Sequence, residues 1–190
     1  MEKNNRENIL QCSLRLFSQK GYDAVGVQEI VDSAKITKPT LYHYFGCKRG
    51  LLDELVKKHF EIFFENISGE AFYNGDIVNN LNGLASAFFT FSSENRDFYR
   101  MQLSMYFSPP ESDANQIVKR MNLKIYSIVE ILFEKAAADH GTMQNRAQAL
   151  AATFIGMINT YIGLWLNGFC DLNEELMHKA VQQFMHGIIS

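Results

Sequence analysis

The chain has 190 residues, of which 47% are hydrophobic and 21% charged, with a formal net charge of −3. That is enough apolar material for one sizeable domain or two small ones, and too much for a disordered chain. Three distant cysteines, Cys12, Cys47 and Cys170, exclude a disulfide framework, and no Cys/His cluster has metal-ligand spacing. The polar start of the chain shows no signal peptide, so the expected location is cytoplasmic.

The charge is unevenly placed. Residues 1–60 carry ten lysines and arginines against seven acidic residues, and residues 61–190 carry eight against fourteen. A basic head on an acidic body fits a head that meets a polyanion.

Only Pro39, Pro109 and Pro110 interrupt the chain as prolines, and apolar residues recur three and four apart. Both features predict an all-α protein. The first helix is expected from Lys3 to Lys20, with Ile9, Leu10, Leu14 and Phe17 inward and Gly21 closing it. A short helix, Val27 to Ala34, follows. After the break at Lys35-Ile36-Thr37 comes a second short helix, Lys38 to Phe45. Thr37 is its expected N-cap, and Pro39 falls in the first turn, where a missing N–H costs little. Gly46-Cys47 breaks the chain again before a helix from Lys48 to about Asn66. Further helices are expected over 76–93, 95–107, 111–140, 142–169 and 173–189, with Asp76, Asn95, Thr142 and Asn173 as N-caps.

Two short helices with a tight break, packed behind a third, describe a helix-turn-helix. Leu41 and Phe45 lie one turn apart and must face inward together, which turns Lys38, Pro39, Thr40, Tyr42 and His43 outward. Donors and flat rings on an exposed helix face suit DNA. A plain helical corner with polar decoration is the alternative.

Ile30-Val31-Asp32-Ser33-Ala34 and Ile36-Thr37-Lys38-Pro39-Thr40-Leu41-Tyr42-His43-Tyr44-Phe45, then Lys48 and Leu51, closely resemble the TetR family of bacterial transcriptional regulators. Leu16-Phe17 and Gly21-Tyr22 fit the same pattern, so the resemblance covers about residues 8–55. It implies a three-helix DNA-binding head, residues 1–47, and a C-terminal ligand-binding and dimerisation domain, residues 48–190. It implies a homodimer on a near-palindromic double-stranded operator, with no enzymatic activity and no cofactor. A small-molecule effector would release the operator, repression being the family's default and activation its minority mode. Carried over by position, Lys38 reads a guanine edge, and Pro39 or Thr40 meets a thymine methyl. Tyr42 and Lys48 clamp phosphate, Thr37 caps the recognition helix, and Gln28 and His43 lie at outward positions near bases. The sequence departs from the pattern at Lys35, where the family usually has Gly. It departs also at Val25-Gly26, in place of a hydroxyl pair, and at Cys47, in place of Ser or Asn.

Residues 147–170 contain no charged side chain or histidine. That length is able to span a bilayer, but five polar residues interrupt it, and the expectation is burial at an interface with no membrane. Phe154, Ile158 and Ile162, with Val181, Phe184 and Ile188 of the last helix, are the expected dimer contacts. Gly156 and Gly163, seven apart, would allow close helix approach. The middle of the chain is rich in aromatics and methionine, from which Tyr99, Met105, Tyr126, Asn159 and Trp165 are the expected lining of a pocket for a hydrophobic or aromatic effector. Rival functions are an all-α protein whose C-terminal pocket binds or transforms a small molecule without regulating DNA, and a helical adaptor for protein.

Overall fold

The computed structural model describes residues 2–186, with side chains from Asn5 onward. Among the described residues the chain forms α1 (Glu2–Lys20), α2 (Val27–Ala34), α3 (Lys38–Phe45), α4 (Lys48–Glu70), α5 (Ile77–Glu94), α6 (Arg96–Tyr106), α7 (Asp113–Ala136), α8 (Ala147–Leu166) and α9 (Glu174–His186). A single 3-10 turn, Gly141–Met143, is the remaining regular element among them. The chain is all-α, as its periodicity predicts.

Local chemistry accounts for the early boundaries. Gly21 takes φ +82 and its N–H bonds to the Phe17 carbonyl, closing α1. The Thr37 hydroxyl accepts from the Thr40 N–H, and Pro39 sits in the first turn of α3. Gly46, at φ +69, stops α3.

Two compact units divide the residues. The first holds residues up to 61 together with 96–121. Its core is Ile9, Leu10 and Phe17 of α1, Ile30 and Val31 of α2, Leu41 and Phe45 of α3, Leu51, Leu52 and Leu55 of α4, and Phe98 and Met101 of α6. Leu14, expected inward, is half-buried. Arg6 ties α1 to α4 through Glu54, and its guanidinium also lies over the Phe45 ring.

The second unit holds residues 62–95 and those from 122 onward. Phe63 stacks on Phe91 and meets Phe88 edge-on, while Phe184 lies against Phe133 and Phe154. Asp76 and Asn173 cap α5 and α9 as expected.

Asn95 stands directly before α6, where the sequence predicts a helix to start, and its amide donates to the Phe91 carbonyl at the end of α5. Two expectations need correction. Thr142 is no N-cap: it lies in the 3-10 turn, and Asn145 at φ +59 separates that turn from α8, which begins at Ala147. The second concerns the expected dimer contacts. Phe154, Ile158, Ile162 and Val181 are fully buried inside a single chain, because α8 turns its bulkiest stripe toward α5 and α9. Phe184 is half-buried, and Ile188 lies outside the described residues. By length and composition α8 is able to cross a membrane, yet only 33% of its most apolar window is buried in the chain. Ala149, Ala152, Thr153, Gly156, Thr160 and Leu164 form its uncovered face.

Candidate nucleic-acid interface

α3 is eight residues long and is held by only two buried side chains, Leu41 and Phe45. Its remaining faces stay open. Thr37, Lys38, Pro39, Tyr42 and His43 are exposed, and Thr40 is half-buried. Tyr42 keeps 46% of its surface in solvent, a large area for an aromatic ring on a globular surface. The Thr37 and Thr40 hydroxyls lie 2.9 Å apart, so each has lone pairs or a proton left to offer. The helix N-terminus adds positive partial charge beside Lys38. Gln28, on α2, is exposed, and its amide donates to Asp32 at 2.8 Å. Its second N–H and its Oε1 remain for a base.

Lys48 is the most constrained cation of the set. Its ammonium lies 4.1 Å from the centre of the Tyr22 ring, a cation–π contact, and the side chain is half-buried. Burial lowers the Lys48 pKa from its ordinary value, while the charges of Asp23 and Asp113 oppose that shift. The Tyr22 hydroxyl is pushed up to about 12, first by burial and then by the charges of Asp113, Asp23 and Cys47, with Arg49 opposing. Tyr22 therefore stays neutral and serves as an apolar, electron-rich platform for the lysine.

The three departures noted in the sequence have local consequences. Gly26 precedes α2 without a side-chain cap. The Cys47 sulfur accepts a weak bond from the Gly50 N–H at 3.4 Å, and Cys47 is exposed. Lys35 adopts φ +53, ψ +47, the left-handed conformation that a glycine takes without strain.

The structure brings Thr37, Lys38, Pro39, Thr40, Tyr42 and His43 onto one short helix and its cap, and Lys48 onto the start of the next. Sequence reasoning missed Arg49 and Asp113, which meet at 2.7 Å across 64 residues. The only signal was a second cation at a helix N-terminus, where cations are disfavoured. Of the expected effector contacts, Tyr99 and Met105 are buried in the first unit, and Tyr126, Asn159 and Trp165 are half-buried in the second.

Residues 9–55 match the family model described as bacterial regulatory proteins, tetR family. That segment is of the TetR DNA-binding type. The curated relatives are transcriptional regulators rather than enzymes, and DNA-binding regulation is the coarse function that the match supports. The HTH-type transcriptional activator FasR of Mycolicibacterium smegmatis is 23% identical over 97% of this chain and 83% of its own length. Among solved structures, a Clostridium perfringens putative fatty acid metabolism regulator superposes with a TM-score of 0.84 at 20% identity, covering 96% of this chain and 99% of that one. AibR, solved in complex with isovaleryl coenzyme A and operator DNA, gives a TM-score of 0.73 at 19% identity over 94% of this chain and 96% of its own. At such identities the two structures establish the TetR fold alone.

Proposed function

We propose that this chain is a TetR-type regulator, a cytoplasmic homodimer that places two copies of α3 in successive major grooves of a near-palindromic operator. The observation that carries the reading is the open face of α3, where Lys38, Pro39, Tyr42 and His43 are exposed on a helix anchored by two residues. Lys38 reads a guanine edge, and Pro39 or Thr40 packs on a thymine methyl. Tyr42 and Lys48 hold phosphates, Thr37 keeps α3 capped, and Gln28 and His43 reach neighbouring bases. Residues 1–47 form the DNA head, and residues 48–190 serve effector binding and dimerisation.

The dimer contact is assigned to the uncovered face of α8. An open groove of about 500 Å³ lies there, lined by Leu150, Met157, Tyr161 and Phe184 among others. Exposed apolar area of this kind favours a protein partner, and a second copy buries it symmetrically.

The effector reading rests on Tyr126, Asn159 and Trp165 and on chemistry shared by two fold neighbours. One neighbour is named for fatty acid metabolism, and the other holds an acyl coenzyme A. A hydrophobic acyl compound is the effector class favoured here. Binding it would favour a conformation with weak operator affinity, so that repression is released. FasR, named an activator, supports the opposite regulatory sign as a second reading.

Selection from random duplexes at two salt concentrations tests the DNA assignment. The expected result is a palindromic site bound by a dimer, with log K falling steeply as log salt rises. Lys48→Ala should reduce that slope by about 0.9, one phosphate's worth. Operator binding that survives Tyr42→Ala with Lys48→Ala at physiological salt would refute the assigned face. Trp165 is the chain's single tryptophan, so its fluorescence during titration with isovaleryl coenzyme A or longer acyl homologues tests the effector class.

A further inference from the structure

α4 opens on two adjacent cations, Lys48 and Arg49, at a helix end that already carries positive partial charge. Each cation is satisfied by a different partner. Lys48 rests over Tyr22. Arg49 reaches α7, where its Nη1 donates to Asp113 Oδ1 at 2.7 Å and its Nη2 to Gln116 Oε1 at 3.3 Å. Asp113 stands in the first turn of α7, where the helix dipole favours a carboxylate.

The start of α7 is itself pinned. The Ser112 hydroxyl accepts from the Asn115 N–H at 3.2 Å. The Asn115 amide donates to the Tyr106 and Ser108 carbonyls at 3.0 and 3.2 Å, which fixes the segment between α6 and α7. Arg49–Asp113 therefore joins two structured segments within the first unit. Asp23 and Asp113 both act on Lys48 by their charge, but it is Asp113 that is bonded to the first turn of α4.

We infer that Asp113 is a positioning residue for operator binding: by holding Arg49 it fixes the first turn of α4, and with it the place of the Lys48 ammonium beside Tyr22. The inference rests on the DNA-binding reading above. Electrostatics alone gives the opposite sign. A carboxylate near a phosphate-binding lysine repels DNA, so deleting its charge should tighten binding. A positioning role makes the same deletion weaken binding. Both side chains of the pair are more than two-fifths exposed, so the effect is modest.

The test compares Asp113→Asn with Asp23→Asn in the full-length chain. Amide hydrogen exchange over residues 46–51 reads the α3–α4 junction without DNA. Operator affinity at two salt concentrations reads the consequence. Asp113→Asn should exchange faster at the junction and bind about three- to fivefold more weakly, with an unchanged salt slope because every cation is retained. Asp23→Asn should leave exchange unaltered and bind as tightly as the parent or more tightly. Unaltered junction exchange in Asp113→Asn, or an affinity change matching that of Asp23→Asn, overturns the inference. A parent chain that enriches no operator refutes the DNA reading instead, while the exchange comparison still decides whether Asp113 holds the junction.

Discussion

α3 and α8 both leave most of their surface uncovered, and the chemistry of what they leave differs. α3 exposes a lysine, a proline, a phenol and an imidazole around two buried anchors. α8 is the most apolar helix of the chain, and its open face offers alanine, glycine, threonine and Leu164. The first surface is equipped to replace water around phosphates and base edges. The second gains by losing water altogether. Exposure alone thus says little about a partner; which atoms are exposed says more.

The largest expected effect is on α8. In the single chain, a Cβ added at Gly156 would meet nothing within 4 Å. Gly156→Glu should therefore leave the monomer folded and even favour the helix slightly. In the dimer it would bury a carboxylate without a partner, and the dimer dissociation constant should rise about a hundredfold. Analytical ultracentrifugation reads the outcome. An undisturbed dimer would place the interface on another surface.

The next effect tests how α3 is held out. A Cβ at Gly50 would lie 2.1 Å from the Phe45 carbonyl oxygen, a backbone atom at the end of α3. In an ordinary helix Gly→Ala is favourable, so a cost here reports the close approach of the two helices. Gly50→Ala should destabilise the chain by about 2 kcal/mol, measured by urea unfolding, and weaken operator binding more than the loss of stability explains. Neutral behaviour would mean that α3 does not depend on a tight junction with α4.

A third effect separates the two surfaces by pH. His59 of α4 stacks on Phe98 at 4.5 Å, and its Nδ1–H donates to the Leu55 carbonyl. Burial lowers its pKa, Lys58 lowers it further, and the Leu55 carbonyl and Glu7 oppose. The unfolded chain then binds the proton more readily than the folded one. Stability is complete above the ordinary histidine value and declines as pH falls through it toward the depressed folded value. His59→Phe should remove that decline. It should leave dimerisation through α8 without a matching pH response, since none of the named exposed α8 residues titrates there.

The two regions also differ in how much of them the sequence disclosed. α2 and α3 end where the residues predict, because Thr37, Pro39, Gly46 and the two anchors act within one or two turns. The start of α8 was misplaced because its break is carried by Asn145 in a left-handed conformation, and no proline marks it. Asn95 was legible only in part: the helix after it starts where expected, but its amide closes α5, since an asparagine is able to serve either end. On α8 the apolar pattern runs nearly all the way round, so periodicity could not tell the stripe covered by α5 and α9 from the stripe left open. Arg49–Asp113 was invisible for a different reason: the two residues are 64 apart, and neither belongs to a local pattern.

The smallest effect concerns the turn that delivers α3. Lys35 holds a left-handed conformation, and its N–H bonds to the Asp32 carbonyl while the Ile36 N–H bonds to Val31. That geometry closes α2 as a glycine would, at a steric cost of about 1–2 kcal/mol for a residue with a Cβ. Glycine removes the cost but gives the unfolded chain more freedom, worth about 0.4–1 kcal/mol in the other direction. Lys35→Gly should then stabilise the chain by about 0.5–1 kcal/mol by urea unfolding. The salt dependence of operator binding gives the substitution a second reading. If strain is all that Lys35 contributes, the slope of log K against log salt stays unchanged. If the exposed ammonium meets a phosphate, the slope falls by about 0.9, and the lysine is kept at the turn for the DNA it touches.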